Sequence, residues 1–333
     1  MAFSSATITY MSIISNCTAA AITDAATTLI EGNLVAFPTE TVYGLGADAT
    51  NKDAVARLYQ VKGRPADHPL IVHISSTAHL DKWASEIPAY AIKLARTFWP
   101  GPMTLILPRT DLAKDFITGG QNNVGIRVPQ HTVALALLKA FEDQGGLGIA
   151  APSANRFGAV SPTTAAAVET ELANYLTQSD QILDGGPCAV GVESTIIDCT
   201  KDKPIILRPG AVTRQMIEAA LGISLDPISI TNVGNQVKAP GLLESHYAPA
   251  AKVLLSGTPS AGDGLLALAS IATPAGVIRV GAPASDEEFA QLLYQAFRLA
   301  DAQGLKRVFV IAPTGDGIAV AINDRLSKSA FEK

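Results

Sequence analysis

Four short apolar runs in the first half of the chain stop at a proline: LVAFP (34–38), MTLILP (103–108), VGIRVP (124–129) and GIAAP (148–152). Proline removes a ladder donor and pushes the residue before it toward an extended backbone, so each run reads as a strand that ends in a turn. Between the runs the spacing changes to that of helices. Residues 18–32 read as a helix that Gly32 can end, and 52–61 place Ala54, Val55, Leu58 and Val61 on one face. Strands alternating with helices predict an α/β fold rather than a bundle or a sandwich.

The same reading extends the pattern. PLIVHI (69–74) is a strand, 77–98 a helix, 131–142 a helix, GIAAPSAN (148–155) a strand running into a polar loop, and 163–176 a helix. Further strands fall at 181–184, 193–198 and 204–208, so one α/β domain is expected over 14–220. The segment 221–250 loses periodicity and contains Pro227, Gly234, Pro240, Gly241 and Pro249, a composition expected of a linker. KVLLS, GVIRV and RVFVIA then read as strands around a helix at 286–303, giving a smaller α/β domain over 251–333.

With 48% hydrophobic and 17% charged residues, the chain can bury a sizeable core and is not a disordered one. A formal charge of -5 argues against a protein that coats nucleic acid, and leaves room for no more than a weak RNA contact. Cys17, Cys188 and Cys199 are too scattered for a disulfide framework or a zinc site, which fits a reduced, cytoplasmic setting. No uninterrupted apolar run reaches the ~18 residues of a membrane span. The first thirty residues lack the basic and apolar regions of a secretory signal, and Met11 offers an alternative start after a loosely attached extension.

The loops and sheets of common nucleotide enzymes and hydrolases leave sequence signatures absent here: GxxxxGK[ST], GxGxxG after a strand, HExxH and GxSxG. Several other segments place polar groups at strand ends. PTETVYGLG (38–46) offers threonine hydroxyls and freed backbone to a small polar ligand, or caps the next helix. Lys62 and Arg64 either answer a helix C-terminus or grip a polyphosphate. His73, alone in an apolar strand, is a satisfied structural histidine or a ligand contact. Arg127 lies inside an apolar strand and must face a carboxylate, from the protein or from a ligand. Ser153 and Asn155, Ser161, Ser194 and Arg208 sit at further strand ends, where open α/β sheets bind ligands.

Read in order, PTETVYGLG, KGRP with PLIVH, WPGPMTLIL, VGIRVP, APSAN with SPT, GVESTIID and LRPG resemble the Sua5/YrdC/YciO family over about 30–215. SHYAP (245–249) and AINDRLSK (321–328) resemble the longer, Sua5 type. The resemblance implies a twisted, open mixed sheet with a concave, positively charged cleft, and a smaller Rossmann-like C-terminal domain. It implies condensation of L-threonine, bicarbonate or CO2, and ATP into threonylcarbamoyl-AMP with release of pyrophosphate. Mg2+ would accompany ATP through its phosphates, with no metal site of protein ligands. Separate threonylcarbamoyl-transferase proteins would then modify adenosine 37 of transfer RNAs.

By matching motifs, the resemblance places Thr41, His73, Arg127 and Ser194 around threonine. Arg64, His68, Asn123, Ser153, Ser161, Arg208 and Tyr247 would line ATP, and Lys62, Arg64, Ser153 and Asn155 match the catalytic KxR and SxN signature. At 68 the sequence has His where the family often has Asn. The competing reading is a non-catalytic double-stranded RNA-binding or regulatory protein. A carbamoyl-transfer module of the hydrogenase-maturation kind would need cysteine-rich segments that this chain lacks.

Overall fold

The computed structural model describes residues 13–225, 239–241 and 247–331. The first domain runs β1 (Ile14–Asn16), α1 (Ala19–Ile30), β2 (Val35–Phe37), β3 (Gly44–Asp48), α2 (Lys52–Lys62) and β4 (Ile71–His73). It continues through α3 (Leu80–Trp83), α4 (Ala89–Phe98), β5 (Met103–Pro108), α5 (Asp115–Thr118), β6 (Asn123–Arg127), α6 (Thr132–Asp143) and β7 (Ile149–Ala150). It closes with α7 (Ala165–Leu172), β8 (Gln181–Asp184), β9 (Thr195–Asp198), β10 (Ile205–Arg208) and α8 (Arg214–Leu221).

These strands form an open mixed sheet of ten strands in the order β1-β8-β2-β3-β7-β4-β6-β5-β9-β10. Alternation along β2 shows how both faces are covered. Val35 and Phe37 join the cluster built by Ala25, Ala26 and Leu29 of α1 with Leu137, Leu138 and Phe141 of α6. Leu34 and Ala36 join the larger cluster with Val55 and Leu58 of α2 and Leu94 of α4. Successive side chains of a strand point to opposite faces, so helices pack on each side.

Local signals set the helix ends. The Asn51 side chain accepts the Asp53 and Ala54 amides to start α2, and Gly63 ends it at φ 60°. The helix expected across 77–98 is divided: a short 3-10 turn leads into α3, and α4 begins only after Pro88. Pro88 disfavours a helical Ile87, and Ala84 is already extended at φ -121° and ψ 144°. Gly44–Asp48, read from sequence as a glycine-freed turn, is instead a strand antiparallel to both β2 and β7. At Gly46 a Cβ would stand 2.8 Å from Ile149 Cγ2 and 2.9 Å from the Phe37 ring, so close packing and not turn chemistry requires glycine there.

The second domain carries β11 (Lys252–Leu254), β12 (Gly264–Leu266), β13 (Ile278–Gly281), α9 (Asp286–Ala302), β14 (Arg307–Val310) and α10 (Ile318–Ser329). Its four strands are all parallel, in the order β11-β14-β12-β13. β1, β12, α5, α8 and α10 lie outside the elements expected from the sequence. Met11, the extension before it and most of the expected linker, including Pro227, Gly234 and His246, lie outside the described residues. Among the described residues no helix is long and apolar enough to cross a membrane.

Candidate active site

The cleft is assembled from strand ends. After β2, Thr39 Oγ1 donates to the Val42 carbonyl at 2.7 Å and lies 2.8 Å from Thr41 Oγ1, which holds the PTET turn in one shape. His73 ends β4, Arg127 ends β6, and the two are register partners on parallel strands. Arg127 Nη1 donates to Thr41 Oγ1 at 2.9 Å.

Arg127 also has the internal carboxylate that its burial demands. Nη2 stands 2.7 Å from Glu40 Oε1. Nevertheless its Nε and Nη2, and both Glu40 oxygens, lack an aligned hydrogen bond. The charge is answered by Glu40; the fork's donors are not, and buried donors of that kind favour a second acceptor.

His73 is buried, with its ring edge-on to Phe37 at 6.0 Å and its Nδ1 without a hydrogen-bond partner. Burial, reinforced by the Arg127 cation, pushes its pKa down to about 3, so it is a neutral imidazole near pH 7.

Ser194, just before β9, sits 2.8 Å from Thr104 Oγ1. The Arg208 guanidinium grips it, donating from Nη2 to Ser194 Oγ at 3.1 Å and from Nη2 and Nε to its carbonyl at 2.9 and 3.1 Å. Arg208 Nη1 also reaches the Pro240 carbonyl at 3.1 Å. Arg64 donates from Nη2 to the Pro69 carbonyl at 2.9 Å, while its Nε has no partner.

Lys62 and Asn155 point elsewhere. Lys62 is buried, and its Nζ donates to the carbonyls of Ser153 and Asn155. Burial first, then the Arg64 cation, pulls its pKa well below the usual lysine value. Asn155 Nδ2 donates to the Arg156 and Ala159 carbonyls at 2.7 and 2.8 Å. Neither side chain lines the cleft; together they shape the loop that presents Ser153, which does.

The resulting cleft holds about 590 Å³ of space, counting the part open to solvent. Its polar walls are Thr39, Thr41, Arg64, His73, Arg127, Ser153, Glu193, Ser194, Arg208 and Tyr247, with Val42, Ile71, Ala151 and Pro152 between them. Three other residues read from the sequence stand apart. Asn123 lines an adjoining cavity of about 280 Å³ with Thr104, Gln121 and Pro240. Ser161 donates to Glu193 Oε1 at 2.7 Å beneath the wall. His68 lies outside the lining, edge-on to Phe157 at 5.2 Å.

Glu193 and Glu40 are residues to which the sequence reading gave no role. Glu193 accepts from Ser161, from Tyr294 Oη at 3.0 Å and from Arg325 Nε at 2.8 Å. Burial opposes its charge, but the Arg325 and Arg208 cations outweigh that and hold the carboxyl at about 2. Glu193, the one carboxylate of the wall among the described residues, is thus already paired, while Arg64, Arg127 and Arg208 face the same space. Such a site selects anions. No nucleophilic thiol competes: burial, then Glu40, pushes Cys188 up to about 12. Among the described residues no three His, Cys, Asp or Glu side chains converge to hold a metal ion.

Fold and site together define a two-domain α/β protein with an arginine-lined anion cleft on a mixed sheet. Residues 27–210 match the Sua5/YciO/YrdC family model, described as telomere recombination, and 212–331 match the threonylcarbamoyl-AMP synthase C-terminal domain. The chain therefore belongs to the Sua5/YciO/YrdC family, in the long form that carries this second domain. It is 40% identical over 316 residues to a threonylcarbamoyl-AMP synthase of Pyrococcus abyssi, covering 90% of this chain and 91% of the relative. It is 39% identical over 328 residues to that of Bacillus subtilis, covering 93% and 92%. The crystal structure of P. abyssi Sua5 complexed with L-threonine superposes with a TM-score of 0.87 at 38% identity, covering 96% and 98% of the two chains. E. coli YciO, at 22% identity and a TM-score of 0.52, shares the fold over 60% of this chain and 96% of its own.

Proposed function

We infer that this chain is a threonylcarbamoyl-AMP synthase, joining L-threonine, bicarbonate or CO2, and ATP. The observation that carries the reading is the convergence of Arg64, Arg127 and Arg208 on one cleft beside a neutral imidazole and the Thr41 and Ser194 hydroxyls. Three cations suit a ligand set with one carboxylate and a chain of phosphates. The relatives named above support the same activity.

In this reading Arg127, with donors to spare, takes the threonine carboxylate, and Thr41 and Ser194 border the amino acid. Burial, reinforced by the Arg127 cation, keeps the His73 ring neutral, and its unpartnered Nδ1 is placed to share a hydrogen bond with the threonine amine or hydroxyl. The threonine amine forms a bond to CO2 and loses a proton, giving a carbamate. A carbamate oxygen then bonds to the α-phosphorus of ATP, the bond to the bridging oxygen breaks, and pyrophosphate leaves with the electron pair. Arg64 and Arg208 offset charge on the phosphates, and Ser153 contacts them from the loop that Lys62 and Asn155 shape. Positioning and preorganised charge supply the acceleration, since among the described residues no activated nucleophile lines the cleft. Mg2+ would accompany ATP and lower the charge of its phosphates, held by them and not by side chains of the described residues. The product would pass to threonylcarbamoyl-transferase proteins in the cytoplasm.

The test is to incubate purified protein with ATP, Mg2+, bicarbonate and L-threonine and to follow pyrophosphate and the labile adenylate by rapid chromatography. Product that requires both threonine and bicarbonate is expected. Binding of ATP by folded protein without that product would overturn the reading in favour of a regulatory or RNA-binding role.

A further inference from the structure

Arg325 is a guanidinium with no solvent exposure at all, on a helix of the second domain. A buried charge of this kind is costly unless its partners are well placed, so its partners reveal what it is for. Nε donates to Glu193 Oε2 at 2.8 Å, Nη2 to the Glu193 carbonyl at 3.3 Å, and Nη1 to Asp324 Oδ2 at 2.6 Å. Its carbon centre stands 5.5 Å from the centroid of the Tyr247 ring, which stacks at 5.7 Å on Tyr294. Glu193 and Tyr247 both line the cleft, and Ser194 follows directly.

The rest of α10 works on the same wall. Lys328 Nζ donates to the Gly241 carbonyl at 2.8 Å, and Ser329 Oγ to the Tyr247 carbonyl at 3.1 Å. Tyr247 itself holds φ 64°, a backbone region costly for a non-glycine residue, and so it needs surroundings that over-determine it. The ring is kept there by groups of the second domain.

We propose that Arg325 is a positioning residue of the cleft: one guanidinium of the second domain fixes Glu193, and with it the Ser194 main chain, against the Tyr247 ring. The second domain is then part of the site's construction and not an appendage beside it. The role of that wall in holding nucleotide rests on the function proposed above; the wall's dependence on Arg325 does not.

Four full-length proteins separate the two: wild type, R325K, R325M/E193Q and R325K/Y247F. The double change R325M/E193Q removes both charges, so no carboxylate is stranded. The ligand-free readout is tyrosine nitration by tetranitromethane, located by mass spectrometry, with far-UV circular dichroism to verify folding. Tyr175 is 47% exposed and serves as the internal control, whereas Tyr247 is 1% exposed. Tyr175 should react equally in all the proteins, and Tyr247 should react in folded R325K and R325M/E193Q but not in wild type. The second readout is ATP affinity by calorimetry together with KM and kcat. R325K should weaken ATP binding about tenfold, with kcat moving less, and adding Y247F should change it less than twofold further. Protected Tyr247 in folded R325K and R325M/E193Q overturns the proposal, as does a further loss of ATP affinity of more than twofold when Y247F is added to R325K. Failure of both to fold would make Arg325 a folding requirement and likewise remove the positional role. Absence of adenylate synthesis in wild type would count against the proposed function alone, because the nitration pattern is read without any ligand.

Discussion

His73 and Arg127 lie side by side as register partners on β4 and β6, so a buried imidazole shares its strand end with a buried guanidinium. The pairing follows from parallel strands that both end at the cleft. Burial, with the Arg127 cation adding to it, keeps the histidine neutral far below the pH at which a free one would titrate.

The lowered pKa, set first by burial and then by the Arg127 cation, makes stability depend on pH. The His73 pKa falls from 6.5 in the unfolded chain to about 3 in the folded one, so between those values the unfolded state binds the extra proton. The contribution is complete above pH 6.5 and is lost as pH falls toward 3, with a slope of up to about 1.4 kcal/mol per pH unit. Glu193, lowered from 4.5 to about 2, adds a loss of the same sign in the lower part of that range. Urea unfolding of wild type and His73→Gln at several pH values from 4 to 8 checks this: the variant should show the shallower slope between pH 6.5 and 4.5.

Substitution of Arg127 should separate into two effects. Arg127→Ala leaves Glu40 buried without its cation, which costs about 3–5 kcal/mol for a broken buried pair. Arg127→Ala with Glu40→Gln removes that penalty and leaves the ligand effect. In the double variant the threonine KM is expected to rise about tenfold to a hundredfold, the equivalent of roughly 1.5–3 kcal/mol for a charge-assisted pair, with ATP KM little changed. Steady-state kinetics with each substrate varied would check it, and an unaltered threonine KM would make Arg127 purely structural.

Lys62 and Arg64 are separated by one residue yet should behave differently. Lys62→Met strands the Ser153 and Asn155 carbonyls, each costing about 1–3 kcal/mol when left unsatisfied, so a lower Tm and a lower kcat should appear together. Arg64→Ala removes a cation of the cleft wall and should weaken ATP use with a much smaller change in Tm. Thermal unfolding beside a pyrophosphate-release assay decides; equal Tm losses in the two variants would contradict the distinction.

Gly241 should not tolerate a side chain. Its φ is +79°, and an added Cβ would fall 2.3 Å from Tyr247 Oη and 3.1 Å from Arg208 Nη1. Gly241→Ala is expected to raise the ATP KM several-fold by displacing that wall while the sheet domains keep their circular dichroism. Wild-type kinetics in the folded variant would show that the wall yields freely.

Much of the first domain was legible because its signals are local. Prolines closing apolar runs, Asn51 capping α2 and Gly63 ending it act within a turn or two of themselves. An arginine inside an apolar strand announced a buried charge at 127 without saying which carboxylate answers it. The same rule, applied to α10, could have marked Arg325, since it lies on the buried face with Ile322, Leu326 and Ser329. The break at Pro88 was also visible in principle, but the apolar periodicity on either side of it concealed the division.

Local patterns along the chain specify the α/β class, the strand ends at which polar groups collect, and the cations that an anion cleft would use. Packing in three dimensions selects which of those groups face the cleft and what holds them. Lys62 turns to two backbone carbonyls, Arg127 meets Glu40, and Glu193 is paired with an arginine 132 residues away on another domain. Periodicity and capping arise from contacts between near neighbours along the chain. The partner of a buried charge is chosen by distance in space once the sheets and helices have packed, and no spacing in the sequence encodes it.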